Sequence, residues 1–306
     1  MMFRKAVLSA SLALLFAGPA MAQTAPAATP APTAATIPAD PALWVVKDKD
    51  TTIYLFGTVH VLKPGLSWFD HAVKTAFDKS DQLVLEIPLP DPEEAKGIVL
   101  PLAIDSSGKT LTSKIPPANL PAYQAGLAKL GVQPAQLDPL QPWFASISLS
   151  NGLLLKSGYN PESGAERTLD AAAKAEHKPV IGLETLSQQL HYFADLPQDE
   201  QVKFLLSGIK DADKFDSTIA EMVDDWAKGQ PDKLAEVMNR DYDESPLITK
   251  TLLTDRNSRW ADWINERLKQ PGTIFIAVGA GHLAGANSVQ AQLAAKYHIK
   301  AERIAY

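Results

Sequence analysis

Short apolar runs recur along the chain, and their lengths and residue types are those of β-strands. The clearest are Thr52–His60, Gln82–Ile87, Pro179–Leu183 and Thr273–Val278. Between the first two runs, Trp68–Lys79 carries apolar residues at helical spacing. These segments predict a strand, a helix and a second strand that form a parallel pair with a right-handed crossover.

Further helices are predicted over Ala165–Ala175 and Val289–Tyr297, and Lys300–Ile304 is predicted to be a short edge strand. The stretches 92–160 and 187–268 are mostly helical in pattern, which predicts helical insertions packed over the sheet or over its mouth. Apolar strands flanked by helices indicate an α/β fold. Its centre is expected to be a mixed, mostly parallel sheet with helices on both faces.

The N-terminal residues have a different character from the rest of the chain. Residues 1–22 combine a basic start, an apolar stretch over Ala6–Phe16 and small residues on both sides of Met21, which predicts a cleaved signal peptide. Residues 23–41 are almost entirely Ala, Pro and Thr, which predicts a disordered linker before a single domain at 42–306. We therefore expect a periplasmic or secreted protein with no stable membrane anchor after cleavage.

Composition narrows the possible partners and chemistry. The formal net charge is −6, and no run of Lys or Arg occurs outside the extreme N-terminus, which argues against nucleic acid as a partner. The expected partner is a peptide or small-molecule substrate. The 306 residues include no cysteine, so disulfides and a thiol nucleophile are excluded, and a bound metal would need His, Asp, Glu or Asn ligands.

Two predicted strands end in the same pattern, G-x-x-H. One copy runs from Gly57 to His60 and the other from Gly279 to His282. Ligands of open α/β sheets bind outside the carboxyl ends of the strands, so both imidazoles are expected at one cleft. The alternative for a single copy is a histidine that is only hydrogen-bonded at a strand end.

Two other predicted strands each end in a glutamate, Glu86 and Glu184. A carboxylate that follows an apolar strand is expected to be partly buried, which requires a partner, a proton or a metal. Imidazole and carboxylate groups suit Zn, Mn or Co, so His60, Glu86 and His282 are predicted metal ligands and Glu184 a general base or a fourth ligand. The alternative for either glutamate is a helix N-cap or a buried salt bridge with an arginine.

The predicted helix over Leu252–Lys269 carries further candidates. Arg256 and Arg259 are three residues apart and are expected to share one face, while Asn257 follows another helical stripe. Either arginine could orient a carboxylate or a developing oxyanion, so Arg256, Asn257 and Arg259 are candidate catalytic residues beside Glu184. The alternative is an exposed, salt-bridged helix whose tryptophans lie in the core.

Six ordered segments together resemble the TraB/PrgY/GumN family, which includes the Tiki-type Wnt-inactivating metalloproteases. They are LFGTVHVL, LVLEI, GYNPESG, KPVIGLET, LLTDRNSRW and IAVGAGHLAG. The resemblance implies a fold related to the erythromycin-esterase and ChaN-like group and a metal-dependent hydrolase activity.

The family's motif residues fall on the positions already singled out by pattern. Its paired histidines fall on His60 and His282, its strand-end glutamates on Glu86 and Glu184, and its R-N-x-x-W helix on Arg256 and Asn257. Glu166 occupies a place where family members often carry an Asp before a helix.

Three functions are compatible with these residues. The first is a metallohydrolase, acting on a peptide bond, with a metal-activated water. The second is a metal-independent, esterase-like hydrolase that uses the same His and Glu residues as acid and base on water. The third is a binding module in which the cleft only holds a ligand such as haem or a peptide.

Overall fold

The computed structural model describes residues 36–239 and 246–306, and its centre is a six-stranded sheet. The strands in chain order are β1 (Ile37–Pro38), β2 (Leu43–Lys47), β3 (Thr51–Thr58), β4 (Leu66–Ser67), β5 (Gln82–Leu85), β6 (Val180–Gly182), β7 (Gly272–Gly279) and β8 (Glu302–Arg303). The order across the sheet is β6-β5-β7-β3-β2-β8, and β1 pairs separately with β4. Strands β6, β5, β7 and β3 are mutually parallel, while β2 is antiparallel to β3 and β8. The predicted mixed, mostly parallel sheet is confirmed.

Fourteen α-helices surround this sheet in the described ranges. They are α1 (His71–Asp78), α2 (Pro92–Ala103), α3 (Leu111–Lys114), α4 (Leu120–Leu130), α5 (Pro134–Leu137), α6 (Pro142–Lys156), α7 (Ala165–Ala175), α8 (Leu186–Ala194), α9 (Gln198–Lys210), α10 (Phe215–Ala227), α11 (Pro231–Asn239), α12 (Pro246–Thr249), α13 (Asp255–Arg267) and α14 (Val289–Tyr297). Short 3₁₀ turns lie at Pro161–Ser163, Ala212–Lys214 and Ala280–Leu283. A π-helical turn at Lys250–Thr254 joins α12 to α13.

Alternation of side chains along the strands builds a core on each face of the sheet. On β7, Phe275 points to the face covered by α1, α7, α10 and α11, whereas Ile274 and Ile276 point to the face covered by α13 and α14. Both faces are therefore apolar, as a parallel sheet between two helical layers requires. The helices α2–α6, α8 and α9 form two further apolar clusters of their own. This is the predicted helical insertion.

The predicted direct pairing of the first two strands is wrong. Strands β3 and β5 are parallel, but β7 lies between them and pairs with both. The most C-terminal long apolar run therefore occupies the centre of the sheet. Local pattern cannot reveal this insertion, because the strand that separates β3 from β5 comes almost 200 positions later in the chain.

The helix after β3 begins at His71 rather than at the predicted Trp68. Trp68 is buried and stacks on Phe56 of the sheet, with ring centroids 5.4 Å apart. Asp70 has an extended backbone and precedes the first helical residue. Trp68 therefore packs in the core ahead of the helix, although its spacing from the later apolar residues is helical.

The end of the predicted linker lies against the domain. Ile37 and Pro38 pair with Leu66 and Ser67, and Ala39 is buried, so the domain extends N-terminally of residue 42. The predicted signal peptide and the linker up to residue 35 lie outside the described residues. Within 36–239 and 246–306, no helix combines the length and the apolar character needed to cross a membrane.

Candidate active site

Four neighbouring parallel strands end at the same edge of the sheet, and each delivers one candidate side chain there. In spatial order, His60 follows β3, His282 follows β7, Glu86 follows β5 and Glu184 follows β6. Register pairs such as Thr58 with Gly279 bring the strand ends level. All four side chains are buried. The structure thus brings together two imidazoles and two carboxylates that are dispersed along the sequence.

Arg256 of α13 lies in the middle of this group and is only 2% exposed. Its Nη2 donates to Glu86 over 2.7 Å and to Glu184 over 2.8 Å, and its Nε donates to Glu184 over 3.1 Å. Its Nη1 donates to the carbonyl of Leu252 over 3.1 Å and contacts Nε2 of His282 at 3.0 Å. Each nitrogen of the guanidinium is therefore engaged, and the two carboxylates share one buried cation.

The carbonyl that Arg256 reaches belongs to the π-helical turn at Lys250–Thr254. In that turn the N–H of Asp255 bonds to the carbonyl of Lys250, five residues earlier. Such turns widen a helix locally and often occur at functional sites. Here Arg256 lies two residues after the turn and in the interior of the protein.

The contact with Arg256 determines the tautomer of His282. An arginine can only donate, so Nε2 of His282 accepts and the neutral ring carries its proton on Nδ1. Nδ1 lies 2.5 Å from Oδ1 of Asn257, whose Nδ2 donates in turn to the carbonyl of Asn287 over 2.8 Å. Complete burial and the nearby Arg256 charge lower the pKa of His282 to about 3, so the ring is neutral at physiological pH.

Glu86 is held in its ionised form. Burial alone would raise its pKa, but the charge of Arg256 and the backbone N–H of Gly279, 2.7 Å from Oε1, hold that pKa well below the usual range. Gln189 of α8 supports the same carboxylate, because its Nε2 donates to Glu86 over 2.8 Å and to Glu184 over 3.1 Å. The two acids are thus tied together by an amide as well as by a guanidinium.

Sequence reasoning did not single out Gln189, although a signal for it exists. Thr185 and Gln188 form a capping box at the start of α8, the S/T-x-x-E/Q pattern that marks a helix N-terminus. A helix that starts directly after Glu184 returns residue 189 toward the strand end within about one turn. Gln189 could therefore have been placed beside Glu184 from the sequence.

His60 has a separate partner, Glu166, in the first turn of α7. Nδ1 of His60 lies 2.5 Å from Oε1 of Glu166, and the hydroxyl of Thr58 also donates to that oxygen. Burial of the imidazole opposes its charged form, but the adjacent Glu166 carboxylate outweighs this effect and raises the pKa of His60. Glu166, which the sequence marked only by its place in the family pattern, is therefore the residue that orients one of the two motif histidines.

Among the described residues, three buried atoms of this pair have no hydrogen bond: Nε2 of His60, Oε2 of Glu166, and Nδ1 of His60, whose contact with Glu166 is an ion pair. A cavity of about 30 Å³ adjoins His60. It is lined by Thr58, Val59, His60, Val61, Ile219, Met222, Val223, Leu234, Gly279 and Ala280. A space of this size is large enough for one water molecule, and its lining is mostly apolar.

The G-Y-N-P-E-S-G segment explains how α7 reaches His60. Its Asn160 bridges to Leu62, and the N–H of Ala165 bonds to the carbonyl of Val59 over 3.1 Å. Gly164 lies so close to the carbonyl of His60 that a Cβ there would overlap the oxygen. The segment is therefore a close backbone contact that brings the first turn of α7 to the end of β3.

Arg259 lies at the rim, unlike Arg256. Its side chain is 51% exposed, and Nη2 donates to the hydroxyl of Tyr192 over 2.8 Å. That hydroxyl donates to Oε1 of Glu184 over 3.1 Å, while Arg259 is 3.8 Å from the same carboxylate. Both arginines thus reach Glu184 and the ring of Tyr192, as positions three apart on one face should, but Arg256 lies in the interior and Arg259 at the rim.

The predicted metal ligands can be tested against this donor set. Nε2 of His282 accepts from Arg256, and both oxygens of Glu86 accept hydrogen bonds. Of the three, His60 alone presents a ring nitrogen without a partner within the described ranges. Within those ranges, no three His, Asp or Glu side chains are grouped to hold an ion. With the guanidinium in place, the residues do not fit a metal at His60, Glu86 and His282.

The similarity to known proteins extends over every residue of this site. The model of the TraB/PrgY/gumN family matches residues 42–301. The uncharacterized protein YbaP of Escherichia coli (strain K12) is 23% identical over 253 residues, which cover 83% of this chain and 92% of the relative. An uncharacterized protein of Treponema pallidum (strain Nichols) is 21% identical over 271 residues, 80% of this chain and 78% of that protein. No solved structure matches the chain.

Proposed function

This chain belongs to the TraB/PrgY/gumN family, and from the geometry of its strand ends we propose that it is a hydrolase in which His60 takes a proton from the attacking water. The observation that carries the proposal is the buried pair of His60 and Glu166. A carboxylate on Nδ1 leaves the lone pair of Nε2 free, which is the arrangement of a general base oriented by an acid.

The reaction would begin with a water in the cavity beside His60. Nε2 of His60 accepts one proton of that water, and the water oxygen forms a bond to the carbonyl carbon of an ester or amide while the C=O π bond breaks and its electron pair moves to the carbonyl oxygen. The imidazolium so formed is stabilised by the Glu166 carboxylate, which accepts from Nδ1–H and stays ionised while the proton remains on Nδ1. When the oxyanion re-forms the C=O bond and the bond to the leaving group breaks, Nε2 gives its proton to the leaving oxygen or nitrogen, and His60 is again neutral.

The remaining residues hold this edge of the sheet in place. Arg256 ties the ends of β5 and β6 together through Glu86 and Glu184, and it ties β7 to α13 through His282. Because their polar atoms are engaged, these residues act as positioning residues in this proposal. Arg259 and Tyr192 lie at the rim, where a polar group of the substrate can contact them.

The test is turnover by the purified full chain on a panel of peptide and ester substrates, with and without a chelator. We expect activity that survives chelation and falls about 10²-fold to 10⁴-fold in His60→Asn, the range of a lost general base. The matched control is His191→Asn, because His191 is exposed and pairs with Asp195, away from the strand ends. Equal activity of wild type and His60→Asn would contradict the proposal.

The same panel separates the two other functions compatible with the sequence. The second candidate is the metal-dependent hydrolase, which is favoured by the two imidazoles and two carboxylates at one edge of the sheet. For a metal to bind there, Arg256 would have to release its hydrogen-bond acceptors. Activity that a chelator abolishes and a divalent metal restores would select it. A co-purified ligand with no turnover of any substrate would select the binding module.

Export is a second part of the proposal. The basic, apolar and small-residue pattern of residues 1–22 supports a signal peptide that is cleaved after Ala22, which would deliver the protein to the periplasm or the medium. Intact mass of the protein recovered from a bacterial host tests this: the mature chain should begin at Gln23. A mass that retains residues 1–22 would contradict it.

A further inference from the structure

The guanidinium of Arg256 lies among side chains that could otherwise ligate a metal ion. It contacts both carboxylates and the lone pair of His282, which are the atoms that would ligate an ion. A nitrogen lone pair cannot accept an N–H and coordinate a metal at the same time. The guanidinium and a divalent cation are therefore mutually exclusive at these donors.

Charge and burial indicate that this arrangement is stable. Glu86 and Glu184 carry two negative charges in an environment that excludes water, and burial of unpaired charges is expensive. Arg256 supplies one positive charge inside the cluster, and Arg259, 3.8 Å from Glu184, supplies a second at the rim. The carboxylates are thus balanced by charges of the chain itself.

The hydrogen-bond inventory of Arg256 leads to the same conclusion. A guanidinium has five N–H donors, and here its acceptors are Glu86, Glu184, His282 and the carbonyl of Leu252. Guanidinium groups are always charged and match carboxylates through a rigid fork. Displacement of Arg256 by an ion would leave its own buried charge without these partners.

We propose that Arg256 serves as a built-in cation at the Glu86, Glu184 and His282 donors, so that this part of the site excludes divalent metal. The proposal disagrees with the metal-ligand roles that the family resemblance implies for Glu86 and His282. It does not depend on which substrate is hydrolysed. It has one direct consequence: removal of the guanidinium should convert the same donors into a metal site.

The variant that tests this is Arg256→Met, which removes the charge and keeps an unbranched side chain. It leaves two carboxylates and one imidazole nitrogen without their cation, a ligand set suited to Co²⁺ or Zn²⁺. Metal binding is measured on the full chain by equilibrium dialysis with CoCl₂ after treatment with a chelator, and the absorption of bound Co²⁺ reports its ligands. The expected result is one Co²⁺ per chain in Arg256→Met and at least about tenfold weaker binding in wild type.

Two control variants assign the binding to these donors. Arg256→Met combined with Glu86→Gln should lose the Co²⁺ site, and wild type and Glu86→Gln should bind Co²⁺ equally weakly. Stoichiometric binding by wild type that Glu86→Gln abolishes would overturn the proposal. A folded Arg256→Met that binds no Co²⁺ would also overturn it, because the donors would then not be a cation site.

The design remains decisive if Arg256→Met does not fold, since the comparison of wild type with Glu86→Gln needs no change at Arg256. Its readout is also independent of turnover. Failure of the hydrolase proposal would appear as inactivity of wild type with the metal-binding results unchanged. Failure of the present inference would appear as a Glu86-dependent ion in wild type, whatever the activity.

Discussion

Nη1 of Arg256 donates a hydrogen bond to Nε2 of His282 over 3.0 Å, and this contact gives the two G-x-x-H histidines different roles. His282 has both ring nitrogens engaged, since Nδ1 contacts Asn257 at 2.5 Å. His60 has Glu166 at Nδ1 and no partner at Nε2 among the described residues. One motif therefore anchors the site, and the other offers a free lone pair for chemistry.

Loss of Arg256 should destabilise the fold strongly. Arg256→Met leaves Glu86 and Glu184 buried without their cation, and breaking a buried ion pair by removing one partner costs about 3–5 kcal/mol. The measurement is the free energy of unfolding from urea denaturation in the presence of a chelator. Arg259→Met is the matched control, and because Arg259 is half-exposed its loss should cost less than about 1 kcal/mol. Equal costs for the two variants would contradict the buried role of Arg256.

Gly164 should be intolerant of a methyl group. Its φ of −61° is open to any residue, so the effect of Gly164→Ala is steric: the new Cβ would overlap the carbonyl oxygen of His60. We expect a loss of about 1–3 kcal/mol in unfolding free energy and a loss of activity through displacement of His60. The control is Gly152→Ala, in an exposed part of α6 with no atom near the new Cβ, which should stabilise by about 0.5–1 kcal/mol. A neutral Gly164→Ala would refute the close contact.

His282 should make the protein less stable as the pH falls below about 6.5. Its folded-state pKa is about 3, so in this range the unfolded chain binds a proton that the folded chain does not. The free energy of unfolding should therefore fall by about 1.4 kcal/mol per pH unit between about pH 6 and pH 5. His60, whose folded pKa is raised, is protonated in both states there and adds no slope.

The variant His282→Gln isolates the contribution of His282 to the pH dependence of stability. In His282→Gln the free energy of unfolding should no longer fall with pH by the amount that one proton causes. The control is His177→Asn, which should keep this pH dependence. His177 is exposed, and its φ of +55° is one that Asn tolerates. The measurement is urea denaturation at several pH values. An unchanged slope in His282→Gln would show that the ring is not buried in its neutral form.

Glu166 should control the pH dependence of the reaction. The active form of His60 is neutral, and Glu166 raises the pKa of His60, so the acid limb of kcat/KM is expected above the ordinary value of about 6.5. In Glu166→Gln the carboxylate charge is gone and burial prevails. The limb should then move to lower pH, while kcat falls because the imidazolium is less stabilised. A limb that stays in place would exclude Glu166 as the partner of His60.

Much of this site could be predicted from the sequence, because the relevant signals are local. Each of the four parallel strands is followed within a few residues by His60, Glu86, Glu184 or His282, and parallel strands bring such positions to one edge. The sequence left open whether the glutamates bind a metal or form a buried salt bridge with an arginine. The structure has the salt bridge, with Arg256.

The choice between those two alternatives depends on long-range packing. Arg256 follows a π-helical turn and is buried, and its carboxylate acceptors, Glu184 and Glu86, lie 72 and 170 positions away along the chain. Glu166 contacts His60 where Gly164, directly before α7, lies against the backbone carbonyl of His60, just after β3. Neither contact leaves a periodic trace in the sequence, so the partners of the two histidines could not be assigned from pattern alone.

The central claim is that His60 presents a free Nε2 with Glu166 at Nδ1, while His282 is locked by Arg256. The most direct test is ¹⁵N NMR of the histidine rings as a function of pH, with His60 and His282 assigned by single substitution. We predict that both neutral rings carry the proton on Nδ1, that His60 titrates above about pH 6.5, and that His282 stays neutral down to about pH 3. A His60 ring that carries its proton on Nε2, or that titrates below its ordinary value, would contradict the account.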